Sequence, residues 1–296
     1  MARAMAPGEN QPRLRGGRWW LEVGWKHVFA ILFVLGFCLI PLLYVLSASL
    51  NPGGTLTGSN QLFRTISGAN YQELFGTNFP RWMWNSFFVS SVSAIGTVVM
   101  AAAAAYAFSR FRFRGRRGGL TALLIIQMFP QMLAFVAIFL LMLTLGEVFP
   151  GLGIGSHLSL IAVYLGGALG ANTFLMYGFF NTIPMEIDEA AKIDGASHAQ
   201  IFWGIVMRLV TPILAVVGLL SFVGTYGEFI LARIVLPRNE DYTLAVGLYV
   251  WASDERNAPW SLFASGAVIA AIPIITLFMF LQKYIVSGLT AGGVKG

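Results

Sequence analysis

The chain has 296 residues, of which 57% are hydrophobic and only 11% are charged. Soluble domains carry about 25% charged residues, so much of this chain must face lipid rather than water. The net charge of +6 does not indicate a nucleic-acid-binding protein, because the cations lie beside long apolar stretches instead of forming one polar surface.

Six apolar stretches are each long enough to cross a bilayer as a helix, which takes roughly 20 residues. They do not alternate apolar and polar residues as the strands of a membrane β-barrel must. The sequence therefore predicts an all-α polytopic membrane protein with six transmembrane helices. In chain order the predicted spans are 27–49, 85–109, 120–145, 158–180, 209–232 and 262–284.

The first apolar stretch has two interpretations, a cleaved signal peptide or a retained helix. A signal peptide has an apolar core of about 7 to 15 residues and a small-residue cleavage site. This stretch is longer, and no such site follows it cleanly, which favours a retained helix. Residues 1–26 then form a basic tail.

Lysine and arginine predict the orientation. If the N-terminus is cytoplasmic, most of the 19 Lys and Arg residues lie on the cytoplasmic side, as the positive-inside rule requires. Both termini and the segment 181–208 are then cytoplasmic, and the loop 233–261 lies outside. The arginines between 110 and 117 are interpreted as a topological anchor, with an anionic-lipid or nucleic-acid site as the alternative.

Residues 186–195 read Glu-Ile-Asp-Glu-Ala-Ala-Lys-Ile-Asp-Gly. Acidic residues favour the first turn of a helix, and Gly195 suits its end because glycine adopts a positive φ without strain. We expect a helix over 185–194 and a second one from about residue 196 into the fifth span. Because the cytoplasmic leaflet repels acidic residues, this segment favours docking of a partner over an ordinary interfacial helix, which remains the alternative.

Glu189-Ala190-Ala191, followed after three residues by Gly195, resembles the EAA signature of importer-type ABC permeases. That family continues with Ile-x-Leu-Pro after nine residues, where this chain has Ile205 but carries Met207 and Arg208 in place of Leu and Pro. The replaced proline leaves open how the chain enters the fifth span. Four further segments resemble the smaller permease subunit of maltose and maltodextrin importers, namely 104–110, 128–130, 241–247 and 287–296.

The resemblance implies a six-helix, MetI-like permease domain over 27–286, with a cytoplasmic tail at 287–296. It implies a transport subunit in the bacterial inner membrane that imports maltose, maltodextrin or a related oligosaccharide such as trehalose. The implied partners are a homologous second permease, two copies of a cytoplasmic ABC ATPase and an extracytoplasmic sugar-binding protein. The chain has no G-x-x-x-x-G-K-[ST] phosphate loop, so we expect no cofactor or catalysis in it, and ATP and Mg in the ATPase.

The same resemblance assigns roles to three groups of residues. Ala190, Ala191 and Gly195 would be close contacts of the ATPase, with Glu189 and Asp194 as polar anchors. The tail residues Gly292, Gly293, Val294, Lys295 and Gly296 would also reach the ATPase, with simple fraying as the alternative. The loop tip Ser253, Asp254, Glu255, Arg256 and Asn257 would probe the binding protein, unless it is an ordinary solvated connection.

Four polar residues within the predicted spans suggest a sugar pathway: Gln127, Gln131, Asn172 and Glu228. The alternative is hydrogen bonding between helices, worth about 0.6 kcal/mol for each bond. Two other functions are considered. A polar solute such as glycerol phosphate would need cations within the spans, and a secondary carrier would need inverted repeats, and we find neither in the sequence.

Overall fold

The computed structural model describes residue 20 and residues 24–52, 62–253 and 258–293, without the side chains of 131 and 286–293. Every regular element within these ranges is helical. The helices, numbered along the chain, are α1 (Trp25–Leu50), α2 (Ala69–Phe75), α3 (Phe79–Arg110), α4 (Arg116–Gln127), α5 (Gln131–Val148), α6 (His157–Phe180), α7 (Met185–Ile193), α8 (His198–Leu209), α9 (Thr211–Tyr226), α10 (Ile230–Val235), α11 (Leu244–Ser253) and α12 (Trp260–Gly293). Short 3₁₀ turns lie at Pro150–Leu152 and Asn239–Asp241.

Four single helices are long and apolar enough to cross a membrane: α1, α3, α6 and α12. Two bent pairs raise the number of spans to 6 when each pair is counted as one. Helices α4 and α5 meet at 100°, and α8 and α9 meet at 81°. The predicted all-α, multi-pass fold is confirmed, but the third and fifth spans are not the continuous helices that the hydropathy indicates.

Proline explains both breaks. Pro130 lies between α4 and α5, where its ring removes a backbone donor and holds the preceding residue away from helical geometry. Pro212 occupies the first turn of α9, a position that suits proline. With Arg208 in place of the family's proline, α8 continues to Leu209 before the chain turns.

The predicted fifth span, 209–232, is also too long at its other end. Helix α9 stops at Tyr226, and a separate helix, α10, begins at Ile230. Glu228 explains this restart, because its two carboxylate oxygens accept the backbone N–H groups of Leu231 and Ala232, at 2.8 and 3.0 Å. A carboxylate in that position supplies the partners that the first turn of a helix lacks.

Helix α3 is the central element, and each of its ends lies in a separate apolar cluster. Near its start, the Trp82 cluster joins α3 to α6, α11 and the segment around Tyr242. Near its end, the Tyr106 cluster joins α3 to α6, α7, α8 and α9. In 32 residues α3 spans about 48 Å, so it connects the two clusters as one rod.

The Trp82 cluster fastens the segment 239–244 onto the start of α3. Trp82 Nε1 donates to the carbonyl of Asn239 at 2.7 Å, and Asn85 donates to the carbonyl of Tyr242 at 3.0 Å. Gly247 of α11 lies so close to the indole that an added Cβ would stand 2.1 Å from Trp82 Cε3. A glycine is therefore required at this contact.

Candidate functional site

Helix α7 forms where the sequence predicts it. Pro184 precedes it, Glu186 and Asp188 lie in its first turn, and Lys192 lies in its last turn, so the charges complement the helix dipole. Gly195 has φ +83°, and its N–H donates to the carbonyl of Lys192 at 3.0 Å. The predicted glycine stop is confirmed.

A new helix begins immediately after this stop. The Ser197 hydroxyl accepts the N–H of Gln200 at 3.3 Å, and the Gln200 side chain accepts the N–H of Ser197 at 2.8 Å. This reciprocal cap starts α8. The loop therefore consists of two defined helices rather than an irregular connection.

A buried ion pair attaches α7 to the end of α3. Arg110 Nε lies 2.7 Å from Asp188 Oδ2, and the two side chains are only 5% and 6% exposed. The same guanidinium donates to the carbonyl of Ile183 at 3.2 Å. One residue earlier, Ser109 donates to the Asn181 side chain at 2.8 Å. The last turn of α3 thus holds both the entry to α7 and the helix itself.

The two faces of α7 differ sharply. Asp188 and Ala191 are buried, and Ala191 packs in the Tyr106 cluster. Tyr106 lies at the centre of that cluster, 5.1 Å from the Phe202 ring of α8 and 6.5 Å from the Phe180 ring of α6. The buried face therefore belongs to the internal packing of the chain.

The opposite face of α7 is open. Glu186, Glu189, Ala190 and Ile193 recur at helical spacing and are all exposed. Ile193 is 87% exposed, so an isolated branched apolar side chain projects from an acidic surface. Acidic residues around an apolar centre are suited to a protein partner with a basic rim and an apolar cleft.

This arrangement divides the predicted contact residues. Glu189, Ala190, Asp194 and Gly195 are exposed and open to a partner. Ala191, also predicted as a close contact, instead lies against the chain's own core, because the α3 attachment turns that face inward. Ile193 was not identified from the sequence, although its spacing from Glu186 and Ala190 places it on the exposed side.

The polar residues predicted to form a sugar pathway make hydrogen bonds within the chain wherever the structure describes their side chains. Gln127 donates to the carbonyl of Gly167 at 3.2 Å, and Asn172 donates within its own helix to Ala168 at 2.8 Å. Glu228 caps α10 and accepts the Tyr164 hydroxyl at 2.6 Å. Gln127 and Glu228 therefore show the hydrogen bonding between elements that is the alternative to a sugar pathway, whereas the bond of Asn172 stays within α6. The side chain of Gln131 lies outside the described part of the chain.

The other predicted groups lie largely outside the described residues. Ser253 ends α11 and donates to the carbonyl of Val250 at 2.9 Å, whereas Asp254, Glu255, Arg256 and Asn257 lie outside. Gly292 and Gly293 form the last residues of α12, and Val294, Lys295 and Gly296 lie outside. Helix α12 therefore extends into the segment predicted to be a separate tail.

Comparison with known proteins finds relatives that match most of the chain. The profile of a family described as "Binding-protein-dependent transport system inner membrane component" matches residues 96–291. The "Galactooligosaccharides transport system permease protein GanQ" of Bacillus subtilis (strain 168) is 41% identical over 268 residues, 89% of this chain and 93% of that protein. The "Maltose/maltodextrin transport system permease protein MalG" of Photorhabdus laumondii is 39% identical over 284 residues, 91% of this chain and 95% of that protein.

A solved structure has the same fold. It is the crystal structure of a bacterial ABC transporter involved in the import of the acidic polysaccharide alginate. The match has a TM-score of 0.77 and covers 91% of this chain and 98% of that chain. At 24% sequence identity this similarity concerns the fold alone.

Proposed function

Because the chain belongs to the family of binding-protein-dependent transport system inner membrane components, we propose that it is the permease subunit of an ABC importer for oligosaccharides. It is a multi-pass inner-membrane protein of a transport family, and we expect no enzymatic activity in it. Maltodextrins are the proposed cargo, with galacto-oligosaccharides as the competing cargo, since the two relatives described above are named for these sugars and differ little in identity.

The observation that carries this proposal is the attachment of α7. An interfacial helix needs an apolar face toward lipid, whereas α7 buries Asp188 and Ala191 against the rest of the chain and is held by a buried ion pair. This attachment holds the exposed residues Glu189, Ala190 and Ile193 in a fixed position relative to α3. A rigidly held, exposed helix at the end of a membrane span suits transmission of movement from a partner.

In the proposed mechanism a separate ATPase provides the driving force and α7 receives it. Glu189 and Asp194 form polar contacts with the ATPase, and Ala190 and Gly195 allow its close approach. Ala191 connects α7 to the Tyr106 cluster, and Asp188 connects it to Arg110 at the end of α3. Closure of the ATPase dimer would then move α7 and α3 together and alternate the access of the sugar site.

The complete assembly follows from the same proposal. A second, homologous permease, two ATPase copies and an extracytoplasmic binding protein complete the importer, with both termini of this chain in the cytoplasm. ATP and Mg bind in the ATPase. We keep the tail 292–296 as a further ATPase contact and the loop tip 253–257 as a contact of the binding protein. Gln127, Gln131, Asn172 and Glu228 remain candidates for polar contacts with the sugar.

The first experiment is purification of this chain in mild detergent after co-expression with its genomic neighbours. ATPase activity is then measured with the binding protein and with maltodextrins or galacto-oligosaccharides. We expect a complex with two ATPase copies whose activity rises with one class of sugar. A chain that purifies alone, without an ATPase, would contradict the proposal and favour a secondary carrier.

A charge reversal tests the docking face within that complex. Glu189→Lys should reduce sugar-stimulated ATPase activity at least tenfold, because it places a cation against a basic rim. Glu73→Lys makes the same change at an exposed position of α2 and serves as the control. An equal loss of sugar-stimulated ATPase activity in the two variants would contradict a specific role of α7 in docking the ATPase.

A further inference from the structure

The turn between α3 and α4 forms a basic cavity. It has a volume of about 650 Å³ and is lined by residues 112–118, four of which are arginines and none of which is acidic. Within the described part of the chain, Arg112, Arg114 and Arg117 take part in no ion pair. Three uncompensated guanidinium groups therefore surround one open space.

The five arginines between 110 and 117 have different surroundings, so they are not equivalent as topological charges. Arg110 is buried against Asp188. Arg116 donates to the Tyr177 hydroxyl at 3.2 Å and lies over that ring, 5.9 Å from its centre, which fixes α4 against α6. Only Arg112, Arg114 and Arg117 remain available for an external anion. A guanidinium offers two parallel donors that match a phosphate group.

Exposed apolar side chains lie in and beside the same cavity. Phe113 lines it and is 46% exposed, and Phe111 precedes it in the chain and is 37% exposed. Helix α4 starts at the cavity, and its exposed apolar residues Leu124, Ile125 and Ile126 lie two to three turns further along. A soluble anion would match the arginines alone, whereas a phospholipid matches both the charged cavity and the apolar side of α4.

We propose that this turn binds an anionic phospholipid. Its phosphate pairs with Arg112, Arg114 and Arg117, and an acyl chain lies along the exposed apolar side of α4. A second cavity of about 600 Å³ joins Arg112 and Arg116 to Met185 and Glu186 at the start of α7. A lipid headgroup in the turn therefore lies next to the docking helix. The proposal depends on membrane insertion but not on the identity of the cargo.

The test measures lipid binding by the purified full-length chain. Phosphatidylglycerol and phosphatidylcholine are titrated separately in detergent micelles, and the bound lipids are counted by native mass spectrometry. One basic residue near an anionic surface strengthens binding roughly fivefold. The triple variant R112Q/R114Q/R117Q should therefore bind phosphatidylglycerol weaker by on the order of 100-fold, with unchanged binding of phosphatidylcholine.

The control removes the same number of charges elsewhere. Lys26, Arg64 and Lys283 are exposed, so K26Q/R64Q/K283Q lowers the net charge equally and should keep phosphatidylglycerol affinity within about threefold. An equal loss in both triple variants would show that overall charge, rather than this cavity, attracts the lipid. Full displacement of phosphatidylglycerol by excess inorganic phosphate would identify a soluble-anion site instead. Either result overturns the proposal.

Two further variants show whether a loss of lipid binding comes from a folding defect. R112K/R114K/R117K should retain most phosphatidylglycerol binding, since lysine preserves the attraction but not the paired donors. If the glutamine triple variant does not fold in phosphatidylcholine, the single variant Arg114→Gln decides the question. It should bind phosphatidylglycerol roughly fivefold more weakly than the wild-type chain. An unchanged affinity in Arg114→Gln would then refute the site.

Discussion

Replacing Arg110 by Met should destabilise the folded chain more than any change at an exposed charge. The substitution keeps the length of the side chain but removes the cation 2.7 Å from Asp188 Oδ2. Asp188 is 4% exposed, so water cannot replace the lost partner. The carbonyl of Ile183 loses its donor as well.

The expected cost follows from this burial. Removing one partner of a buried ion pair costs about 3–5 kcal/mol, because the other charge is left uncompensated. Removing both partners leaves no charge to compensate, so R110M/D188L should recover most of the loss and lie within about 2 kcal/mol of the wild-type chain. The two single effects should therefore be strongly non-additive.

The assay is the free energy of unfolding in detergent, measured by titration with sodium dodecyl sulfate for the wild-type chain, both single variants and the double variant. Arg81→Met provides the control. Arg81 Nη1 lies 3.6 Å from Glu240 Oε2, and the two side chains are 56% and 66% exposed. Exposed pairs contribute about 0–1 kcal/mol. A cost below about 1 kcal/mol for Arg110→Met, or additive single effects, would refute the buried-pair argument.

Three further substitutions test other parts of the structure. Gly195→Asp should leave membrane insertion intact and abolish coupling of sugar uptake to ATP hydrolysis. The reason is that the positive φ and the proposed close approach of a partner both require glycine. Sugar uptake at the wild-type rate would contradict this role. Gly247→Ala should destabilise the chain by about 1–3 kcal/mol through contact with Trp82, and the Trp82→Phe background should relieve part of that loss in the same unfolding assay. Tyr164→Phe should cost about 1 kcal/mol by removing the hydrogen bond to Glu228. We expect no change in which sugar stimulates the ATPase, and a changed sugar preference would show that this hydrogen bond also shapes the substrate pathway.

The sequence predicts the number and approximate position of the spans because hydropathy depends on composition alone. It does not predict the breaks at Pro130 and just before Pro212, since proline is tolerated in some membrane helices and its effect depends on neighbouring contacts. Helix α7 and its glycine stop were predictable because they depend on local chemistry, namely acidic residues in the first turn and a positive φ at the end.

The orientation of α7 was not predictable from the same local signals. Helical spacing places Ala190 and Ala191 on adjacent positions, and only the contact with the Tyr106 cluster decides that Ala191 turns inward. The ion pair between Arg110 and Asp188 joins residues 78 positions apart. From the sequence alone, Arg110 is interpreted as a topological charge and Asp188 as a residue of the first turn of a helix. Long-range pairing of this kind leaves no local signal in one sequence.

Helix α3 offers a physical route between the two sides of the membrane. Its end holds α7 through Arg110, and its start holds the segment 239–244 through Trp82 and Asn85. A rotation of only 5° about one end displaces the other end of a 48 Å rod by about 4 Å, since the rod is one uninterrupted helix. Movement received at α7 would therefore reach the segment 239–244 without any direct contact between them. Breaking α3 midway, by Val98→Pro, should uncouple ATP hydrolysis from sugar release while leaving α7 docked, and preserved uptake in that variant would exclude α3 as the connecting element.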